Sequence, residues 1–83
     1  MFGRKKQLAI RTLVGEGTVV QGELRFGDGL RIDGHVQGDV VATSSRSLLV
    51  ISSQARVDGK IKAGHVILSG TVTGGPIVCD ELL

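Results

Sequence analysis

"RIDGHVQGDV" occupies residues 31–40, and every second position in it is apolar or glycine: Ile32, Gly34, Val36, Gly38 and Val40. Asp33, His35, Gln37 and Asp39 fill the places between. Such alternation marks β-structure with one buried face. Two of the five inward places are glycine, however, and glycine weakens an ordinary strand. The stretch reads better as two short faces and the corner between them. Glycine then falls where a Cβ has no room or where the backbone takes angles that glycine adopts cheaply.

The same pattern recurs along the chain. The unit apolar-x-Gly-x-apolar appears at Val20-Gln-Gly22-Glu-Leu24, Val36-Gln-Gly38-Asp-Val40 and Val57-Asp-Gly59-Lys-Ile61. A fourth copy, Val72-Thr-Gly74-Gly-Pro-Ile77, carries one inserted residue. The leading valines are 16, 21 and 15 residues apart. "RIDGHVQG" and "LSGTVTG" also share Ile32/Leu68, Gly34/Gly70, Val36/Val72 and Gly38/Gly74. This period is too short for a pair of helices, but it suits one turn of a β-solenoid with about three short strands. The inward phase is even from 20 to 40, odd from 49 to 63 and even again from 66 to 74. A long flat strand cannot change phase without turning its core outward, whereas short strands joined at corners can. A small meander or sandwich with Asp-Gly hairpins is the alternative. It is weakened because Asp33-Gly34 lies inside an unbroken alternation.

Composition narrows the class. The 83 residues allow one small domain, and Phe2 and Phe26 are the only aromatic residues, so the core is aliphatic. Cys79 is the single cysteine, which excludes an internal disulfide and suits a reducing, cytosolic setting. His35 and His65 lack metal-ligand spacing, and no Ser/His/Asp constellation or G-x-x-x-x-G-K-[ST] loop is present. Gly15/Gly17 and Gly27/Gly29 are bare G-x-G pairs and read as corners. No cofactor is expected. Residues 1–11 contain Arg4, Lys5, Lys6 and Arg11 and no acid, whereas the remaining chain is slightly acidic. A basic stripe with stacking aromatics is missing from that body, so nucleic acid is not an expected partner.

The order and spacing of these motifs resemble the bactofilin family. The resemblance is carried by "LVGEGTVVQGELRFGDGLRIDGHVQGDV" at 13–40 and "LLVISSQARVDGKIKAGHVILSGTVTG" at 48–74. It implies an all-β fold, a right-handed β-helix with a triangular hydrophobic core. It also implies a bacterial cytoskeletal scaffold that polymerises without nucleotide and serves cell-shape and wall-synthesis machinery. Family domains generally have about six coils, and this chain has room for about four. The expected layout is a disordered basic tail over 1–12 and a β-helical polymerisation domain over 13–83, in a short form or a fragment. The partner is a second copy stacked end to end, with apolar Leu82 and Leu83 as a candidate polymer end.

The tail has its own expected role. "MFGRKKQLAIR" lacks the long apolar run of a secretory signal or a membrane span. Phe2 beside Arg4, Lys5 and Lys6 suits insertion at an anionic membrane surface, as in the short membrane-targeting segments the resemblance implies. The expected location is cytoplasmic, on the inner face of the membrane, with cell-wall enzymes as further partners. Two other functions are weighed. A hexapeptide-repeat acyltransferase would use the period of six at Val14, Val20, Phe26 and Ile32, with His35 as the candidate for the histidine such enzymes place at a subunit cleft. That period breaks at Gly38 and Ser44 and resumes out of register at Val66, Val72 and Val78. A β-helical adaptor that does not polymerise would have capped ends.

Overall fold

The computed structural model describes Ile10 and residues 12–83. These residues form eleven strands and no helix: β1 (Thr12–Val14), β2 (Val19–Gln21), β3 (Leu24–Phe26), β4 (Gly29–Ile32), β5 (His35–Gln37), β6 (Val40–Ala42), β7 (Leu48–Ile51), β8 (Arg56–Asp58), β9 (Ile61–Leu68), β10 (Thr71–Thr73) and β11 (Ile77–Leu82). Every strand pairing is parallel. The chain winds as a β-solenoid of about four coils around an aliphatic core.

Each coil contributes one strand to each of three faces. Face 1 stacks β1, β4, β7, the second half of β9 and the end of β11. Face 2 stacks β2, β5, β8 and β10. Face 3 stacks β3, β6, the first half of β9 and the start of β11. Inward residues form columns through the stack. On face 2, Val20, Val36, Val57 and Val72 stand in direct register, so the valine spacing of the repeat is the register of that sheet. Ile32 and Ile51 on face 1, and Val40 and Ile61 on face 3, are fully buried in neighbouring columns. Burying one such side chain contributes about 1.5–3 kcal/mol.

The phase changes have local causes. Between Val36 and Val57 the coil is longer because two corners are extended, residues 43–47 between faces 3 and 1 and residues 52–55 between faces 1 and 2. The odd length of the first shifts the phase. On the next coil, β9 turns the corner between faces 3 and 1 without leaving strand geometry, bending at buried Gly64. A Cβ on Gly64 would collide with the Ser45 carbonyl oxygen. Ser47 lies beneath it and is fully buried, and its Oγ accepts a hydrogen bond of 2.9 Å from the Gly64 N–H. Ser47→Ala leaves that N–H unpaired in the interior, at an expected cost of about 1–3 kcal/mol. Urea denaturation of the two proteins measures it, and equal midpoints would contradict the assignment.

The opening stretch spans more than two faces. Residues 31–40 run from β4 on face 1, through a corner at Asp33-Gly34, along β5 on face 2, through a second corner at Gly38-Asp39, and into β6. Alternation survives because each corner uses two residues and so preserves the phase. Gly34 and Gly38 are corner residues packed against the preceding coil. A Cβ on Gly34 would lie 2.5 Å from the carbonyl oxygens of Gly15 and Thr18, and one on Gly38 would collide with the Gly22 carbonyl.

Candidate functional site

The geometry that bears on function lies at the two ends of the stack. Val36 and Val57 are fully buried, while Val20 and Val72, at the ends of the same column, are only partly covered. Leu24 and Ile77 stand in the same relation to Val40 and Ile61. Among the described residues, β1, β2 and β3 at one end, and β10 and β11 at the other, have a strand neighbour on one side only. Each end therefore combines an open backbone edge with partly exposed aliphatic side chains, the surface on which another strand layer can add.

Leu82 and Leu83 divide between two surfaces. Leu82 stands opposite Val66 and continues the inward column Leu30–Leu49–Val66. The Leu83 N–H donates to the Val66 carbonyl at 2.7 Å, and the Leu68 N–H donates to the Leu83 carbonyl at 2.8 Å. That bonding sets Leu83 opposite Ile67, on the outside. Only Leu82 extends the core rim, because adjacent residues of a strand face opposite ways.

The predicted corner glycines of the repeat fall at two lines of corners. Gly22, Gly38, Gly59 and Gly74 follow one another between faces 2 and 3. Gly34 and Gly70 lie between faces 1 and 2. Gly29 departs from its expected corner role: it is buried inside β4, in register with Leu48. Inward Leu68 is partly buried and packs on the core. The tail residues Phe2, Arg4, Lys5 and Lys6 lie outside the described residues.

Sequence reasoning missed a polar network on the outside of face 2. Asp58 Oδ1 accepts from Thr73 Oγ1 at 2.5 Å and from Arg56 Nε at 2.9 Å, and Asp58 Oδ2 lies 2.7 Å from His35 Nε2. The network joins three successive coils. Gln21 Nε2 donates to Gln37 Oε1 at 3.1 Å in the column that continues to Asp58 and Thr73. Arg56 is the local i−2 neighbour of Asp58 in β8, whereas Thr73 and His35 lie 15 and 23 residues away and only the coil register brings them to it. His35 is bonded to a structural carboxylate on a sheet surface, which gives its outward place a stabilising role.

The Thr73 hydroxyl, then His35 and Arg56, hold the Asp58 carboxyl far below the usual carboxylate range. Asp33 is lowered similarly, first by Ser52 and then by Arg31. A depressed folded-state value means that the unfolded chain binds more protons. The stabilisation from Asp58 is thus complete above the ordinary aspartate value of 3.8 and is lost as pH falls below it. Asp58→Asn should therefore lower the melting temperature most near neutral pH, with the difference shrinking as acid protonates the wild type. A constant difference from neutrality to about pH 2 would count against this linkage.

Comparison with known proteins bears directly on this fold. A family model described as "Bactofilin: Polymer-forming cytoskeletal" matches residues 12–83. The chain belongs to the bactofilin family. The match begins at the first residue of β1 and covers every described strand. The chain is also similar to Bactofilin BacO of Myxococcus xanthus, at 28% identity over 81 residues. The alignment covers 98% of this chain and 62% of that bactofilin, so the chain spans less than two thirds of the curated relative's length. No solved structure matches the chain. Membership places the β-solenoid in a structural, cytoskeletal family.

Proposed function

We propose that this chain is a cytoskeletal scaffold subunit that joins other copies end to end without nucleotide. The observation that carries the reading is the pair of open rims: core columns end in partly covered Val20 and Leu24 on one side and in partly covered Val72, Ile77 and Leu82 on the other, each beside an open strand edge. Stacking a second solenoid there would extend the strand ladder and bury the rims, each contributing about 25 cal/mol per Å² of apolar surface removed from water. Neither gain involves a hydrolysed phosphate. The family's description as polymer-forming supports the same reading. Negative-stain electron microscopy of purified protein, without nucleotide or metal, should show filaments. A strictly monomeric or compact trimeric species at high concentration contradicts the polymer and favours the adaptor reading.

The finer proposal places these filaments on the inner face of the cytoplasmic membrane, where they organise cell-shape or cell-wall machinery. Phe2, Arg4, Lys5 and Lys6 supply the anchor chemistry. Each cation near an anionic leaflet contributes about 1 kcal/mol, and a buried phenylalanine at most about 3 kcal/mol. One copy would bind weakly, and a filament with many parallel segments would bind firmly. Phe2→Ala should abolish co-sedimentation with anionic vesicles, at speeds that leave filaments in solution, while filaments still form. Equal vesicle binding by both proteins contradicts the anchor.

A further inference from the structure

The outside of face 1 differs from the other two outer surfaces. Its outward places form two columns: Leu13, Arg31, Val50 and Ile67, with Leu83 following in the next coil, and Gly29, Leu48, His65 and Glu81. Leu13 is 58% exposed and Leu83 72% exposed. Face 2 presents Val19 as its single outward aliphatic residue, and face 3 presents Val41 and Val78. The difference is written in the strands themselves. Face 1 contains the unbroken apolar runs Leu48–Ile51 and Val66–Leu68, whereas His35–Gln37, Arg56–Asp58 and Thr71–Thr73 on face 2 alternate. Continuous apolar runs are the mark of parallel strands covered on both sides.

Charge indicates what covers it. Face 1 and its two bordering corners hold five of the chain's eight acidic residues, Glu16, Asp28, Asp33, Asp80 and Glu81, against Arg31 and Arg46. Asp33 is bonded to Arg31, and Glu81 lies 3.0 Å from His65. A second copy's face 1 would bring like charge against like, and an anionic leaflet would do the same. The complementary segment is in the chain itself. Residues 1–11 carry four cations and no acid, together with Phe2 and Leu8 and with Ile10, which is exposed in the structure. They lead directly into β1, the first strand of face 1. Eleven extended residues reach about 36 Å, while the face from β1 to the end of β11 spans about 19 Å. The segment is long enough to cross it.

We propose that residues 1–11 dock on the outer surface of face 1 of their own chain. Phe2 and Leu8 cover the aliphatic residues Leu48, Val50 and Ile67 beyond Arg31, and the cations meet the acidic borders. The proposal goes beyond the anchor reading and does not depend on it. It gives the basic segment a second use that excludes the first, since a docked segment is withheld from a membrane.

A photo-crosslinking residue in place of Leu8 of the full chain tests this. Mass spectrometry should map the crosslinks to β7 and the second half of β9, within single molecules when isotopically light and heavy chains are mixed. The combined changes Arg4→Glu, Lys5→Glu and Lys6→Glu lie outside the coils, and should remove the crosslinks while the melting curve keeps its cooperative form. Crosslinks on faces 2 or 3, crosslinks joining light to heavy chains, or yields unchanged by the charge reversal would each overturn the proposal. Absent crosslinks in a protein that still sediments with anionic vesicles would overturn it and leave the anchor standing.

Discussion

Replacing Gly38 by alanine prevents the coil stack from forming, whereas the same change at Gly27 is tolerated. The added Cβ at Gly38 would collide with the Gly22 carbonyl of the preceding coil. Both sides of that contact are backbone, so no flexible side chain can move away. The coil spacing, about 4.7–4.9 Å, is set by the strand hydrogen bonds on all three faces. Opening it at one corner strains the pairing of β2 with β5, and Gly59 packs on Gly38 in turn at the next level. The expected loss exceeds about 4 kcal/mol, a large share of the 5–15 kcal/mol typical of a whole domain. At Gly27 the nearest atom to an added Cβ is Thr43 Oγ1 at 3.7 Å, an ordinary contact. There the change should shift stability by no more than about 1 kcal/mol in either direction. Far-UV circular dichroism with urea denaturation measures both. A Gly38→Ala protein that folds with the wild-type midpoint would falsify the close-packed corner.

The second large effect concerns assembly. Val20 and Val72 end the same inward column, with Val36 and Val57 between them. A glutamate at either terminal position can turn toward water in a single molecule, because both sites are only partly covered. In a stacked pair the same carboxylate is trapped between two aliphatic layers. Burying an unpaired charge costs several kcal/mol, so the end contact should weaken by roughly a thousandfold or more. The double variant Val20→Glu/Val72→Glu should be folded and monomeric. The single variants report the polarity of the polymer. If unlike ends meet, each alone is monomeric. If like ends meet, each alone stops at a dimer. Analytical ultracentrifugation separates these states, and persistent filaments in the double variant would rule out the coil ends as the polymer contact.

How far the residues disclose the fold follows from what repeats. The valine spacing, the glycine after each valine and the reversals of inward phase are all local, and together they specify short strands, corners and a coiled path. Those features also carry the family resemblance. The tight corners were legible because glycine is the residue that permits such an approach, although Gly29 shows that a glycine can also lie within a strand. The Asp58 network was not legible. Arg56 meets Asp58 locally within β8, but Thr73 and His35 reach it only because coils of unequal length are held in one register.

The candidate site divides along the same line. By itself the sequence determined that this protein is a coiled, aliphatic β-structure with a basic leading segment, because alternation, glycine placement and charge are properties of neighbouring residues. Only the tertiary structure decided which columns those residues build and where each column ends. It separated Leu82, on the core rim, from Leu83, on the outer surface. It also gathered the outward Leu13, Leu48, Val50 and Ile67 onto one face bordered by most of the acidic residues. The physical reason is that parallel stacking converts positions 15 to 21 residues apart into neighbours about 4.8 Å apart. The composition of a surface in such a fold therefore depends on coil register as much as on the order of residues.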